Sequence, residues 1–422
     1  MNFIEELRWR GMLHDMTPGA EEFIQSKKVT GYIGFDPTAP SMTIGNYVQL
    51  MILTLFQKAG HSPIVLMGGA TGRVGDPSFK ETERDLKTYE ELDKNLAFQM
   101  EQVKKILDFD GPNPAKIVNN LDFYKNMNIL EFLRDVGKTL TVNYMMSKDS
   151  VKNRLETGLS FTEFSYQLLQ AYDFQLLYQN HDCHLQMGGS DQWGNITSGT
   201  EFIRRNTDGK AYAVTTPLLT KADGTKFGKS EQGNVWLDPN LTSPYQFYQF
   251  WINADDADVS KYLRYFSLKS HEEIEALEAM IPTDPREVKA ALAEEITARV
   301  HSEEAASGAR QVSTLLFGRE ADHTFVKSLS VASLEDISKE IPSYELSKNS
   351  GLEKQIIDWL SHDCLIFTSK NEARKAIQNN AVSINKIKIS SHEHSIAPED
   401  LLHGKYLIVE NGKKNKYVIK FV

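Results

Sequence analysis

The sequence has 422 residues, enough for two to four domains with at least one large core, and its 41% hydrophobic and 25% charged residues are typical of a soluble globular protein. The N-terminus lacks the apolar segment of a signal peptide and no run of about 18 apolar residues indicates a membrane span, so we expect no membrane partner. The two cysteines, Cys183 and Cys364, lie far apart in sequence and do not make up a disulfide framework, which fits a reducing, cytoplasmic location.

The net charge of −10 is unevenly distributed along the chain. Residues 351–422 hold 11 Lys and Arg against 8 Asp and Glu, a balance of +3, so residues 1–350 carry −13. A basic C-terminal segment on an acidic body is consistent with a tail that binds a polyanion. A solvated, lysine-rich surface explains the same charge, and from charge alone it is the preferred interpretation.

The first elements in chain order predict a parallel sheet. Residues 29–36 (VTGYIGFD) form a predicted strand, residues 47–59 a buried helix, and residues 63–67 (PIVLM) a second strand. This order is a βαβ unit, whose strands run parallel. Since parallel sheets bind ligands beyond the carboxyl ends of their strands, the turn at Gly45 and Asn46 and the glycine-rich run 68–72 are candidate site segments.

Helices and further apolar segments follow. Residues 85–180 alternate helical patterns with loops, and residues 245–317 are mostly helical. Residues 183–187 form a third apolar segment that runs into GGSDQWGN, while residues 215–219 lead into the loop ADGTKFGKS at 222–230. Strands of the sheet are therefore predicted both before and after a helical region of the sequence.

The last part of the chain is predicted to be separate. Residues 319–350 are polar and lack clear periodicity, which favours a linker. Residues 351–422 contain predicted helices near 353–360 and 370–379, followed by the short apolar stretches AVSIN, YLIVE and YVIKFV. We expect a small α+β domain here.

Three motifs were compared with common phosphate-binding, dinucleotide-binding and zinc-binding patterns, and none of them matches. The loop GTKFGKS is not a phosphate-binding P-loop, because Asp223 stands where that pattern needs a small residue, but it carries Lys226 and Lys229 on a Gly/Ser-rich segment suited to polyphosphate. The segment GGATGRVGDP lacks the dinucleotide-binding spacing. The sequence HDCH at 181–184 has no complementary second cluster, so a strand is favoured over zinc.

Taken together, the motifs resemble one enzyme family. PTAPSMTIGN and the later KFGKS resemble the HIGH and KMSKS signatures of class I aminoacyl-tRNA synthetases. GYIGFDPTAPSMTIGN, GGATGRVGDPS, FTEFSYQLLQAYDF and LQMGGSDQWGNI are similar, in the same order, to bacterial tyrosyl-tRNA synthetases. SKNEARKAIQNNAVSIN resembles a small RNA-binding domain first described in a ribosomal small-subunit protein. Two residues depart from the family pattern: Thr43 replaces a usual histidine and Phe79 replaces a glycine.

The resemblance implies an α/β fold with three folded parts. Residues 1–235 would form a Rossmann-like parallel-sheet catalytic domain, with a dimer-forming insertion near 118–160. Residues 236–318 would form a helical domain for the anticodon arm. After the linker, residues 351–422 would form the C-terminal α+β RNA-binding domain.

The resemblance also implies a two-step reaction. The carboxylate of L-tyrosine attacks the α-phosphorus of ATP to give tyrosyl-adenylate and pyrophosphate, with Mg²⁺ accompanying the phosphates, and the tyrosyl group then passes to the terminal adenosine of tRNA(Tyr). No general base is needed, because this carboxylate is ionised at neutral pH. A homodimer is implied. A tryptophanyl-tRNA synthetase, a small nucleotidyltransferase and a catalytically impaired, synthetase-like RNA-binding protein remain alternatives.

Site residues follow by motif match. Those expected in catalysis are Thr38, Thr43, Asn46, Lys226, Lys229 and Ser230. Those expected to bind tyrosine are Tyr32, Asp76, Tyr166, Gln170, Asp173 and Gln186. Those expected to bind ATP are Gly34, Asp36, Gly45, Gly189, Asp191, Gln192 and Lys229. No protein ligand for a metal is predicted.

Within the tyrosine set, the resemblance implies that Tyr32 and Asp173 bond the phenolic hydroxyl, whereas Tyr166 and Gln170, with Asp76, hold the α-ammonium group. Tyr166, Gln170 and Asp173 are spaced by four and three residues, so a helix would present them on one face. An alternative interpretation makes Tyr166 and its neighbour Tyr172 core aromatics, which suits Tyr172 better.

Overall fold

The computed structural model of the chain describes residues 2–78, 87–148, 151–152, 158–230, 233–318, 321–348, 352, 354–412 and 415–422. The chain divides into two compact units: the first comprises Met1–Thr242 and Asn253–Leu292, and the second comprises Ser243–Ile252 and Ala293–Val422. Within the described ranges, no helix combines the length and the apolar character needed to cross a membrane.

The first unit contains a six-stranded sheet. Its strands are β1 Asp15–Met16, β2 Thr30–Phe35, β3 Ser62–Met67, β4 Lys116–Asn119, β5 Cys183–Gly189 and β6 Tyr212–Thr216. The spatial order is β1-β6-β5-β2-β3-β4, with β1 antiparallel to β6 and all other neighbours parallel. The strand order reverses between β2 and β5, the place where open parallel sheets bind ligands.

Helices surround this sheet. Those before β6 are α1 Phe3–Trp9, α2 Ala20–Ser26, α3 Ile44–Lys58, α4 Tyr89–Lys104, α5 Leu121–Tyr124, α6 Ile129–Glu131, α7 Val142–Met146, α8 Phe161–His181 and α9 Trp193–Thr207. After β6 come a short hairpin and two more helices: β7 Lys229–Ser230, β8 Gly233–Asn234, α11 Asp256–Phe266 and α12 His271–Met280. The α/β fold with a parallel sheet predicted from the sequence is confirmed.

The burial of β3 and α3 explains why these segments form their elements. Residues 63–67 of β3 are all buried, as expected for a parallel strand covered on both faces. Ten residues of α3, from Ile44 to Phe56, are buried. The strands predicted at 29–36 and 63–67 are confirmed to within a residue at most boundaries, but α3 begins three residues earlier than predicted, at Ile44.

The second unit combines helices with a five-stranded sheet. Its helices are α10 Pro244–Ile252, α14 Glu303–Phe317, α15 His323–Ser328, α16 Val331–Glu340, α17 Ile356–Asp358 and α18 Lys370–Gln378, while α13 Pro285–Val300 contributes to both units. Its strands are β9 Ser343–Leu346, β10 Val382–Ile384, β11 Ile387–Lys388, β12 Tyr406–Asn411 and β13 Asn415–Phe421. Their spatial order is β11-β10-β12-β13-β9.

The interpretation of residues 319–350 as a linker is wrong for the described residues 321–348. They form α15, α16 and β9, and β9 pairs in parallel with β13 at the edge of the sheet. Leu334 and Ile337 of α16 share a buried cluster with Tyr406 of β12. The polar composition misled the prediction, because these short elements each bury only one or two apolar residues.

Candidate active site

Polar residues or a glycine follow the carboxyl ends of four neighbouring strands. Asp36 follows β2, Gly68 follows β3, Asn120 follows β4, and Asp191 lies two residues beyond β5. A Cβ atom at Gly68 would lie 2.0 Å from Asp36 Oδ1, so a glycine is needed for that carboxylate to take its position. The parallel topology therefore assembles one polar edge from segments far apart in sequence.

Asp173 of α8 is a buried carboxylate with two hydrogen-bond donors. It is 1% exposed, and it accepts from the Tyr124 hydroxyl at 2.6 Å and from Asn120 Nδ2 at 2.9 Å. Burial raises the pKa of Asp173 to about 7, even though both donors favour the ionised form. A buried carboxyl whose pKa is shifted this far from its ordinary value is a candidate functional group.

Polar atoms without a partner lie beside this carboxylate. Tyr32 is 0% exposed, its ring contacts Phe174 edge-to-face at 5.2 Å, and its hydroxyl has no hydrogen-bond partner among the described residues. Gln186, opposite Tyr32 in the register of β5 and β2, and Gln170 each have an unpartnered Oε1 atom in the same part of the structure. Burying such groups unpaired costs about 1–3 kcal/mol each, so a polar ligand would stabilise them.

A second carboxylate, Asp36, lies next to this pocket. Tyr166 donates its hydroxyl to Asp36 Oδ2 at 2.9 Å, and Thr71 donates to Oδ1 at 2.6 Å. Burial, followed by the charge of Asp36, raises the pKa of Tyr166, which keeps its hydroxyl protonated as a donor. The structure thus brings Asp36, predicted for ATP, together with Tyr166, predicted for tyrosine.

Asp76 and Gln192 form the side of the site nearest β5. Gln192 Nε2 donates to Asp76 Oδ2 at 2.8 Å, and Asn195 Nδ2 donates to Gln192 Oε1 at 3.1 Å. Burial raises the pKa of Asp191. The positive charge of the nearby Lys226 acts in the opposite direction and lowers this pKa. Carboxylates and amides in this arrangement can receive an ammonium group or ribose hydroxyls.

The turn before α3 is a capping box. The Thr43 hydroxyl donates to Asn46 Oδ1 at 2.9 Å and accepts from the Asn46 backbone at 3.4 Å, while the Thr43 backbone donates to Asn46 Oδ1 at 2.9 Å. Because both side-chain oxygens are engaged in the cap, the amide Nδ2 of Asn46 is the donor left for a ligand. The structure does not support the Thr43 hydroxyl as a free donor.

We therefore predict a stability effect at Thr43. Thr43→Val removes the cap and should destabilise the protein by about 1 kcal/mol, whereas Thr43→Ser keeps the oxygen and should be nearly neutral. Thermal or urea unfolding measures both. Thr54→Val, which removes a hydroxyl bonded to Leu50 inside α3, is the matched control with a smaller expected loss. A Thr43→Val protein as stable as the wild type contradicts the capping role.

Backbone pairing joins this turn to the distant lysine loop. Leu237 donates to the Met42 carbonyl and Ile44 donates to the Val235 carbonyl, both at 2.9 Å. Val235 in turn donates to the Gly228 carbonyl at 3.1 Å. These bonds place Gly228 and residues 235–237 against the start of α3, so the two signature motifs of the sequence meet.

The lysine loop is anchored by its one buried aromatic residue. Phe227 contacts Tyr262 and Phe266 at ring-centroid distances of 5.2 and 5.5 Å. Lys226 and Lys229 on either side of it are exposed, and neither ammonium group forms an ion pair within the described part of the chain. The loop therefore presents two available positive charges beside the polar edge.

The remaining predicted residues take simpler positions. The Thr38 backbone donates to the Asp36 carbonyl at 2.8 Å, and Gly189 ends β5. Ser230 lies in β7, and the structure describes its backbone only. Phe79, the second departure from the family pattern, lies outside the described residues. Tyr172 contacts Phe202 at 6.1 Å, as the alternative interpretation of a core aromatic requires.

Sequence reasoning missed three polar residues of the site. Tyr124 and Asn120 bond Asp173, and Thr71 bonds Asp36. Asn120 follows the four-residue strand β4, which was hidden in a region predicted as helices and loops. A strand pattern at Lys116–Asn119 was the signal that would have placed Asn120 at the polar edge.

Comparisons with known proteins identify the family of the chain. A family model described as "tRNA synthetases class I (W and Y)" matches residues 25–318, and one described as "Tyrosine--tRNA ligase SYY-like C-terminal domain" matches residues 333–419. A protein of Cytophaga hutchinsonii named "Tyrosine--tRNA ligase" is 56% identical across 100% of this chain and 99% of its own length. The chain belongs to the tyrosine–tRNA ligase family.

Two further members of this family support the assignment. A Bacteroides fragilis protein of the same name is 51% identical across 99% of each chain. The crystal structure of a C-terminally truncated Aspergillus nidulans mitochondrial tyrosyl-tRNA synthetase matches with a TM-score of 0.67 and 32% identity, covering 75% of this chain and 94% of that one. The predicted family and enzyme class are confirmed, and the tryptophanyl alternative is not favoured.

Proposed function

We propose that the chain activates L-tyrosine with ATP and transfers the tyrosyl group to tRNA(Tyr). The observation that carries this proposal is the buried polar cluster around Asp173, where Tyr32, Gln170 and Gln186 have polar atoms that lack protein partners in the described residues. A phenol inserted there would supply a hydroxyl to both Tyr32 and Asp173. A tryptophan side chain has no hydroxyl to offer, which favours tyrosine.

The amino-acid end of the substrate is proposed to lie between Asp36 and Asp76. Both carboxylates lie within the electrostatic reach of Tyr166, as the causes of its raised pKa indicate. The α-ammonium group would be held by Asp76, Gln170 and the hydroxyl of Tyr166. This arrangement leaves the substrate carboxylate directed toward the turn before α3 and the ATP that it attacks.

ATP is proposed to bind over the exposed parts of β2 and α3. Gly34 is exposed within β2, and the nearest atom to a Cβ placed there would be 4.0 Å away, so the strand surface is open to a ligand. Gly45 and Asn46 at the start of α3 present a helix N-terminus, which favours phosphate. Asp191 and Gln192 would hold the ribose.

Catalysis of the first step is proposed to rest on positioning and charge. The ionised carboxylate of tyrosine attacks the α-phosphorus, the bond to the pyrophosphate oxygen breaks, and negative charge grows on the departing phosphates. Lys226 and Lys229 would meet that charge. Mg²⁺ enters this proposal only as a counter-ion of the ATP phosphates, since no group of three or more His, Cys, Asp or Glu in the described residues could hold a metal.

A homodimer is proposed from an apolar surface in the region predicted for dimerisation. Ile129, Leu130, Val142 and Phe161 are 58–76% exposed there. Several large, exposed apolar side chains in one region of the chain are typical of an interface. Light scattering should give twice the 47.8 kDa of one chain, and Leu130→Glu should lower that mass toward one chain. A monomeric wild type at micromolar concentration contradicts this part.

The second unit is proposed to bind tRNA through exposed lysines. Lys370 and Lys375 of α18 and Lys388 of β11 are exposed. Deleting residues 351–422 would not test this role cleanly, because β12 packs against Leu334 and Ile337 of α16 and its removal would expose their buried cluster. Surface substitutions leave that core intact.

We predict that Lys375→Glu with Lys388→Glu weakens tRNA binding and leaves adenylate formation unchanged. Each lost phosphate contact should reduce the slope of log affinity against log salt by about 0.9 at most. Tyrosylation kinetics and tRNA binding at several salt concentrations measure the effect. Lys327→Glu on α15 is the matched control. If Lys327→Glu weakens tRNA binding as much as the double substitution does, or if the double substitution has no effect, this surface is not part of the tRNA site.

The experiment that tests the whole proposal is tyrosylation of tRNA by the full chain. Labelled tyrosine should enter the tRNA fraction only when ATP is present. Failure to charge tRNA(Tyr), with active tRNA verified independently, would contradict the proposal. Since tRNA charging serves translation, the proposed location of the enzyme is the cytoplasm.

A further inference from the structure

Tyr124, which no sequence motif singled out, lies between two hydrogen-bond acceptors. It ends the short helix α5, and its hydroxyl is 2.6 Å from Asp173 Oδ1 and 3.1 Å from the Leu169 carbonyl. A hydroxyl has one proton to donate. The shorter distance and the carboxylate both favour donation to Asp173.

The other oxygen of Asp173 is fixed from a different direction. Asn120 Nδ2 donates to Asp173 Oδ2 at 2.9 Å, and Asn120 is itself held because its Oδ1 accepts from the Ala70 backbone at 2.7 Å. Two donors on two oxygens determine the plane of the carboxylate. Each oxygen retains further acceptor capacity for a ligand hydroxyl.

We propose that Tyr124 is a positioning residue for tyrosine recognition: its hydroxyl keeps the Asp173 carboxylate oriented and available as an acceptor for the phenol of the substrate. The inference rests on the proposed function, since it presumes that this pocket receives tyrosine. Tyr124 acts through Asp173, so its removal changes the charge state and direction of the carboxylate and leaves the shape of the pocket unchanged.

The surroundings of Asp173 explain why the donor matters. The titratable groups near it on β2, α5 and α8, or directly after β2, are Tyr32, Asp36, Tyr124, Tyr166 and Tyr172. Burial raises the pKa of Asp173 to about 7, Tyr124 and Asn120 lower it, and the charge of Asp36 raises it. Burial also raises the pKa of Tyr124 well above 10, so its hydroxyl stays a donor near neutral pH.

The direction of the effect follows from these groups. A hydrogen bond to the ionised form of Asp173 lowers its pKa, so Tyr124→Phe should raise it. The protonated form then persists to higher pH, and a protonated carboxyl has lost acceptor capacity. The acidic limb of the pH profile of kcat/KM for tyrosine should therefore move upward by about one pH unit.

The test is ATP–pyrophosphate exchange by the full chain between about pH 6 and about pH 8.5. Tyr124→Phe should lose about tenfold in kcat/KM for tyrosine on the acidic limb and recover most of it at the alkaline end, while kcat/KM for phenylalanine stays flat. Tyr172→Phe is the matched control, because this neighbouring hydroxyl makes no hydrogen bond to Asp173 in the described structure. It should leave the limb in place.

The outcomes separate the possible explanations. An unmoved acidic limb in Tyr124→Phe, or an equal loss at every pH, overturns the positioning role. Asp36 is a second carboxyl group near Asp173, but its donors Thr71 and Tyr166 are untouched by this substitution. A wild-type protein without tyrosine-dependent exchange would instead contradict the proposed function, so the two failures are distinguishable.

Discussion

Replacing Lys229 by alanine should slow tyrosyl-adenylate formation about a hundredfold to a thousandfold while tyrosine affinity barely changes. The negative charge that this ammonium group meets grows on the departing pyrophosphate, so its stabilising effect is largest in the transition state. The structure supports the placement, because Phe227 anchors the loop in an aromatic cluster and Gly228 lies against Ile44, the first residue of α3.

Single-turnover adenylate formation and equilibrium tyrosine binding measure the two quantities separately. Lys116→Ala is the matched control, since Lys116 is an exposed lysine at the opposite end of the parallel strands, where β4 begins. It should change neither quantity. If Lys229→Ala weakens tyrosine binding as much as it slows the reaction, Lys229 has a structural or ground-state role instead.

Asp173→Asn should remove most of the preference for tyrosine over phenylalanine. The asparagine presents an NH₂ group where the carboxylate accepts from Tyr124 or Asn120, and it is a weaker acceptor for the phenol. Losing a hydrogen bond to a buried charge costs about 1–3 kcal/mol, so kcat/KM for tyrosine should fall about tenfold to hundredfold. Phenylalanine, which has no hydroxyl, should be affected little.

The stability of the same variant provides its control. Asp173 has a higher pKa in the folded protein, about 7, than its ordinary value of 3.8, so the folded state binds a proton more tightly than the unfolded state. The contribution of Asp173 to stability therefore decreases as the pH rises from about 4 to about 7. Asparagine lacks this dependence, so the Tm of the variant relative to the wild type should rise over this range. An unchanged tyrosine-to-phenylalanine ratio in a well-folded variant would exclude Asp173 from recognition.

The strands of the sheet were predictable where consecutive residues are apolar and buried. The strands at 29–36 and 63–67 and the apolar segment at 183–187 were recognised from their runs of apolar residues, and all three form neighbouring parallel strands. The four-residue strand β4 was missed because none of its residues is fully buried. β9 was missed for a similar reason, since only one of its four residues, Leu346, is buried.

The positions of site residues were more predictable than their contacts. The family resemblance assigned Tyr32, Asp173 and Gln186 to one tyrosine site, and the structure places Gln186 opposite Tyr32 in the register of β5 and β2. The motifs did not show that the Thr43 hydroxyl hydrogen-bonds within a helix cap, or that the Tyr124 hydroxyl of α5 donates to Asp173. The Tyr124 contact depends on how α5 packs against α8, which local sequence patterns do not determine. The Thr43–Asn46 cap is a local contact, and the motif match with a catalytic turn drew attention away from it.

The central claim, that this site activates tyrosine, is tested most directly by amino-acid-dependent ATP–pyrophosphate exchange without tRNA. Tyrosine, phenylalanine and tryptophan are each supplied to the full chain at equal concentration, and kcat/KM is measured for each. We expect rapid exchange with tyrosine and little with the other two, because only the phenol satisfies both Tyr32 and Asp173. Preferential exchange with tryptophan or phenylalanine, or no exchange with any of the three, would contradict it.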